Sequence, residues 1–367
     1  MLNKLLKGIV VPTVVLASMC ANAEEEKVLN VYNWNEYIEP SIIPKFEKET
    51  GIKVTYDLFD SNEVLDAKLF AGKTGYDIVV PGSDFLVRQI KAGVFQPLDK
   101  SKLPNIKNLD EDQLKLLSKL DDGNTYSLPY MAGTTGIAYN IDMIEKRFGK
   151  GFRVDSWDIL FKPENIAKLN DCGVAFLNAP TEVIPTVMNY LGKNPNSSKI
   201  KDYKEAEELL LSIRPYITYF HSSQNINDIA NGDICITLGW SGDLMQARDR
   251  AKEANNGVRI EYVVPKEGAL IFYDMMTITK DAEHVENALK FMNFIMREDI
   301  SALNSSYTSY SCANKAAHPF ISEEVRNNPN IFIPDEMMKK MFIKEVLPQR
   351  LLRDLNKLWD RVKVGRK

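Results

Sequence analysis

Histidine and cysteine are scarce in this chain, 3 and 4 residues out of 367. His221, His284 and His318 lie 34 or more positions apart and no Cys-x-x-Cys pair occurs, so a zinc or iron centre on sequence-local ligands is not expected. No Gly-x-Ser-x-Gly elbow sets a nucleophile beside a base, and no Gly-x-x-x-x-Gly-Lys loop is there to cradle phosphate. Gly133 and Gly136 do not make a dinucleotide fingerprint. Paired carboxylates leave glycoside hydrolysis as the enzyme class to weigh, and that would show itself by turnover of a glycan. Basic residues are in slight deficit, 46 Lys and Arg against 50 Asp and Glu, with no basic stripe interleaved with aromatics. That argues against a nucleic-acid partner. The composition therefore points to a protein that is not an enzyme and needs no metal or cofactor.

Long apolar runs are missing as well. The run at residues 8–17 is too short to anchor in a bilayer. It comes after Lys4 and Lys7 and precedes Ala21-Asn22-Ala23, a small-x-small cleavage site, so residues 1–23 read as a secretory signal peptide and the mature chain as secreted. An uncleaved anchor is one alternative, and lipidation at Cys20 another, although Met19 is bulky where a lipoprotein signal wants a small residue. Losing Lys4 and Lys7 takes the formal net charge from −4 to −6. The mature chain is long enough for two domains with separate cores. Cys172, Cys235 and Cys312 would then sit in an oxidising compartment, and sequence spacing leaves their pairing open.

The mature chain opens as alternating strands and helices. Residues 28–32 and 52–56 read as strands flanking a helix that carries Ile42, Ile43 and Phe46 and stops at Gly51. Next come a helix over 62–69, a buried strand at 76–81 and a helix at 83–92. Residues 127–140 form an extended, glycine-spaced stretch of the kind that crosses from one domain to another. A second series comprises a strand at 173–177, helices at 183–191 and 203–213, and a strand at 234–238. Residues 258–264 are expected to carry the chain back, with a strand at 271–279, a helix at 284–297 and a charged helical segment over 336–362. Such alternation predicts an α/β fold with mostly parallel sheets between helices.

Three clusters set aromatics beside a carboxylate at strand ends: Trp34, Glu36 and Tyr37; Trp240 and Asp243; and Phe272 and Tyr273 with Asp274. Open α/β sheets place their ligand crevice at such ends. Flat apolar walls closed by carboxylates suit a small organic cation such as a diamine. Bland alternatives stand beside this reading. The aromatics could be core, Ser241 or Asp243 could cap a helix, and Asp274 could be satisfied by an Arg or a Tyr hydroxyl rather than by an ammonium. A receptor for an anion or a metal would share the α/β architecture, and a cell-surface interaction protein would need an exposed apolar patch.

Several stretches resemble a known family closely: Tyr32-Asn33-Trp34-x-x-Tyr37, the segment from Phe46 through Gly51 to Val54, Tyr76-Asp77-Ile78-Val79-Val80-Pro81 and Pro265-Lys266-Glu267-Gly268. They are similar to the periplasmic polyamine-binding proteins of ABC importers, nearest the putrescine-binding branch, over essentially the whole mature chain. The resemblance implies a two-lobed type II periplasmic binding protein fold with hinge crossovers. Lobe 1 is expected at 24–134 and 254–325, and lobe 2 at 135–253 and 326–367, with the C-terminal helices packing across. It implies a monomer that binds putrescine or a related polyamine and delivers it to an ABC permease, closing on the ligand as it does so. Matched residue by residue, Trp34, Asn35, Glu36, Tyr37, Gly82, Glu182, Trp240, Asp243, Phe272, Asp274 and Tyr310 fall on ligand positions. A Cys172–Cys235 disulfide is implied too, leaving Cys312 free. Asp243 and Asp274 are expected to hold one ammonium and Glu36 or Glu182, through a water, the other. Asn35 and Glu36 stand where the putrescine branch has serine and aspartate, and Gly82 where it has a serine, so preference among putrescine, cadaverine and spermidine is open.

Overall fold

The computed structural model describes residues 25–365, so the expected signal peptide at 1–23 and Cys20 lie outside the described residues. Strand β1 (Val28–Trp34) pairs in parallel with β2 (Lys53–Phe59) along its whole length and with β3 (Ile78–Val79) on its other side. The helix Ile42–Thr50 between β1 and β2 buries Ile42 and Phe46, four residues apart on one face. Gly51 ends it in the left-handed region that glycine adopts without strain. Ser61 Oγ accepts from the Val64 N–H to start the helix Asn62–Ala71, and the helix Ser83–Lys91 comes after β3.

The 14-residue β4 (Ser127–Asn140) is buried from end to end. Its first half pairs antiparallel with β9 (Ile271–Ile278), from Ser127 opposite Thr277 to Thr134 opposite Ile271. Its second half, from Thr135, pairs with β7 (Ile236–Trp240) on one side and β8 (Ile260–Val263) on the other. Strands β5 (Val174–Phe176) and β6 (Tyr219–Phe220) extend the second sheet beyond β7. Strand order is β2-β1-β3-β9-β4-β7-β5-β6 with β8 beside β4. The hydrogen bonding is continuous, yet β4 alone among the described strands pairs on both sides of the junction at Thr134 and Thr135. Two lobes result, sharing one crossing strand.

Three expectations need correction. Each sheet is mixed rather than mostly parallel, because the chain crosses on β4 and returns on β9, and an outward and a returning strand lie antiparallel. Residues 260–263 do not carry the chain back. They pair as β8 with the second half of β4, so the return comes after Val263 rather than at residue 254. The segment 336–362 is not one helix: Asp335–Met338 and Gln349–Val364 are helical, with an extended strap between them. Pro348 disfavours helix at the residue before it. The strap instead bonds to the start of β9, Phe342 N–H to Ala269 O at 3.1 Å and Ile271 N–H to Phe342 O at 2.9 Å. Asn196 of the second lobe holds it through Ile343 O and the Glu345 N–H.

The disulfide Cys172–Cys235 joins the residues leading into the parallel neighbours β5 and β7, and Cys312 is free and buried. It ties β5, which leads into the helix Pro180–Tyr190 that carries Glu182, to β7, which ends at Trp240.

Candidate functional site

Strand ends from both lobes meet around a cleft with about 490 Å³ of empty space. The first lobe lines it with Trp34, Asn35, Tyr37, Phe59, Asp60, Asn62, Gly82, Asp84, Phe272, Asp274 and Tyr310. The second contributes Glu182, Ser222, Ser223, Trp240 and Asp243, and the strap contributes Lys344. Ten of the eleven residues matched to ligand positions are therefore brought together. Glu36 is the exception.

A hydrogen bond and ring-to-ring contacts hold the aromatic walls. Trp34 Nε1–H donates to Val80 O at 2.8 Å, and the Trp34 ring stands edge-on to Trp240 with centroids 5.6 Å apart, joining the two lobes. Tyr37 packs edge-on against Tyr310 at 4.7 Å, and Phe272 lies beyond Tyr310 at 6.2 Å. Gly242 lets this happen. A Cβ there would sit 2.2 Å from the Tyr310 ring, so any larger residue would push the lobes apart.

Two carboxylates face these walls. Tyr37 Oη–H donates to Asp274 Oδ2 at 2.7 Å, and Tyr310 Oη–H donates to Asp243 Oδ1 at 2.8 Å. The tyrosine hydroxyl weighed as the structural partner of Asp274 is thus present, but it takes one oxygen only. The second oxygen of each aspartate makes no hydrogen bond among the described residues. Burial pushes both acids up, Asp243 to about 7 and Asp274 to about 8, with the tyrosine hydrogen bonds pulling the other way. Lys344 also pulls Asp274 down and Arg250 pulls Asp243 down, while nearby acids add to the rise, Glu36 for Asp243 and Asp84 and Glu182 for Asp274. The same burial, followed by the neighbouring carboxylate, holds Tyr37 and Tyr310 well above the usual tyrosine range, so both remain donors. Such a pair of acids gains most from an incoming cation.

Glu36 turns away from the cleft. It adopts a left-handed φ of 56°, and its carboxylate pairs with Arg250 of the second lobe, while Gln246 Nε2–H donates to its carbonyl at 3.1 Å. The extra methylene relative to aspartate gives it the reach. Glu36 thus bridges the lobes outside the cleft rather than lining it.

Glu182 lines the cleft, but both its oxygens are engaged. Thr135 Oγ1–H donates to Oε2 at 2.8 Å, and the Lys344 ammonium pairs with Oε1. The same ammonium lies 3.0 Å from Asp84 Oδ2. Burial alone would lower the Lys344 pKa, but Asp84 and Glu182 outweigh it and hold the ammonium above its usual range. The chain thus supplies one ammonium of its own, bridging an acid from each lobe. Gly82 does not open free space for a ligand either. A Cβ there would meet Asn62 Nδ2 at 2.6 Å, and Asn62 Oδ1 accepts from the Gly82 N–H at 2.8 Å. Lys344, Asp84, Asp60, Asn62 and Ser222 are not among the residues picked from the sequence, although Asp60 directly follows Phe59 at the end of β2 and Asp84 precedes Phe85.

A two-lobed α/β protein with an aromatic, acid-lined cleft at the lobe junction is a solute receptor in architecture. Residues 41–333 match the family of bacterial extracellular solute-binding proteins, and the chain belongs to it. It is closely related to bacterial putrescine-binding proteins. It is 52% identical over 365 residues to the putrescine-binding periplasmic protein PotF of Escherichia coli, covering 99% of each chain. It is 53% identical over 346 residues to the putrescine-binding periplasmic protein SpuD of Pseudomonas aeruginosa, covering 94% of each. Among solved structures, a putative spermidine/putrescine ABC transporter protein of Listeria monocytogenes superposes with a TM-score of 0.82 at 32% identity, over 93% of this chain and 100% of that one.

Proposed function

We propose that this protein is a periplasmic receptor that binds putrescine or a close relative between its lobes and delivers it to the permease of an ABC importer. Its relatives are named for putrescine binding, and they are transport receptors rather than enzymes. The observation that carries the reading is the pair Asp243 and Asp274. Each is buried and anchored by one tyrosine hydroxyl, with one oxygen left over beside an aromatic wall. A desolvated ammonium supplies what those oxygens lack, and Trp34, Trp240 and Phe272 lie where they can cover methylenes and attract the charge.

Lys344 favours a diamine over a triamine. Its ammonium already neutralises Asp84 and Glu182, so fewer acids are left to recruit ligand charge. A receptor preferring spermidine or cadaverine is the second reading, since Asn35, which lines the cleft, departs from the serine of the putrescine pattern. Calorimetric titration of ligand-stripped protein with putrescine, cadaverine, spermidine and spermine decides between them. Putrescine should bind 1:1 and most tightly. A preference for spermidine would favour the second reading, and no heat with any polyamine would overturn both.

A further inference from the structure

The C-terminal helix Gln349–Val364 gathers positive charge in a chain that is otherwise acidic. Residues 349–367 hold seven Lys and Arg against two Asp, a net charge of +5, whereas the chain without residues 1–23 carries −6. Charge so unevenly placed along a sequence points to a polyanionic partner. The helix is firmly seated on the second lobe, packing on the helices Pro180–Tyr190 and Lys204–Ile213. Its inner face buries Leu351, Leu355, Leu358, Trp359 and Val362. Trp359 Nε1–H donates to Asn178 Oδ1 at 3.0 Å, and Arg214 Nε–H donates to Lys363 O at 2.8 Å. The outer face is thereby held in place.

Part of the positive charge is neutralised within the protein. Arg361 pairs with Glu207, and Lys363 with Asp360. Arg350, Arg353 and Lys357 are exposed and make no hydrogen bond or ion pair among the described residues. Their spacing of three and then four residues sets them in one row along the helix. Asp354, half-buried, is the one acid beside that row. The turn Ile200–Tyr203 packs against the helix and brings Lys199 and Lys201 beside it, both exposed and without a side-chain partner among the described residues. Between them Ile200 is 41% exposed. The row carries no aromatic on which a nucleic-acid base could stack, since Trp359 and Tyr203 are buried. Cations around one apolar tip suit a plane of phosphates with hydrocarbon beneath it.

We infer that this face of the second lobe rests on an anionic phospholipid surface, through Arg350, Arg353 and Lys357 with Lys199 and Lys201 beside them. A chain of net charge −6 is repelled by such a surface on average, so attraction at one face orients the protein as well as holding it. The inference does not depend on which solute fills the cleft. The test is sedimentation of the mature protein with vesicles of phosphatidylglycerol and phosphatidylcholine in equal parts, and with phosphatidylcholine alone. Wild type should bind the mixed vesicles at least tenfold more than the neutral ones, and salt near 0.5 M, about three times physiological, should abolish the difference. Combining Arg350→Gln, Arg353→Gln and Lys357→Gln should cost at least tenfold of that binding, since one basic residue near an anionic surface contributes about fivefold. Its putrescine affinity and melting temperature should not change. Lys199→Gln with Lys201→Gln should give a smaller loss in the same direction. Combining Lys73→Gln, Lys91→Gln and Lys119→Gln removes the same charge from exposed positions of the first lobe, and this control should stay within about twofold of wild type. Wild type that binds both vesicles alike, or an equal loss in the control, overturns the inference. So does a triple helix variant that still sediments normally but fails to stimulate the permease, which would assign the row to a protein partner.

Discussion

Replacing Asp274 by asparagine keeps the shape of the side chain and removes only its ability to be an anion. The Tyr37 hydroxyl can still donate to the amide oxygen, so the anchor at 2.7 Å survives. Burial raises the Asp274 pKa to about 8, which favours the neutral carboxyl near neutral pH when no cation is bound. Asparagine is therefore close to its resting state, and unfolding stability should shift by no more than about 1 kcal/mol. Binding is another matter. Truncating one partner of a buried, hydrogen-bonded charge pair costs about 2–5 kcal/mol. Asp243 keeps a free oxygen beside the same aromatic wall, which places the expected loss near the lower end, about 2–3 kcal/mol, or roughly 30- to 150-fold in Kd. Calorimetry on ligand-stripped wild type and Asp274→Asn, with thermal melts as the fold control, measures both quantities. Unchanged putrescine affinity with an intact fold would mean that Asp274 serves Tyr37 alone, and the reasoning from its second oxygen would be refuted.

Binding should also depend on pH in one direction. Asp243 and Asp274 have raised pKa values of about 7 and 8 when empty, and a bound ammonium favours their anionic forms, so binding releases protons. Putrescine affinity should rise with pH through about 7 and 8, the pKa values of the two acids, and level off about a pH unit higher. Titration in buffers of different ionisation enthalpy would detect the proton release, and net proton uptake would contradict it. Lys344→Met should leave Asp84 and Glu182 without their shared cation and raise the spermidine-to-putrescine affinity ratio about tenfold or more in paired titrations. An unchanged ratio would remove Lys344 from the account of selectivity. Replacing Cys172 and Cys235 by serine opens a link between residues 63 apart and should lower unfolding stability by about 2–4 kcal/mol in denaturant titration. A loss below about 0.5 kcal/mol would show that the strands hold their register without it.

Much of this architecture was legible because it is local. The crossing strand announced itself in residues 127–140 by extended, glycine-spaced character, and β4 occupies that stretch. The aromatic-acid clusters were visible because each sits within a few residues of a strand end. Other features depend on partners far away in the sequence. Residues 258–264 look the same whether they return to the first sheet or pair with β4, and only the register decides. Glu36 reads like any carboxylate between two aromatics until Arg250, 214 residues later, draws it aside. Lys344 lies 162 residues from Glu182 in a charged tract that reads as helix, so nothing nearby marked it as a cation aimed into the cleft. Asp60 follows Phe59 at the end of β2 and Ser222 follows Tyr219 and Phe220 of β6, and only the meeting of two outer strand ends puts them on one cavity.

The most direct test of the account is a crystal structure of the mature protein grown with putrescine. It should show one diamine between the lobes, with one nitrogen within hydrogen-bonding distance of both Asp243 and Asp274 and the methylenes against Trp34, Trp240 and Phe272. Putrescine bound elsewhere, or in the cleft with neither nitrogen reaching those two aspartates, would contradict it.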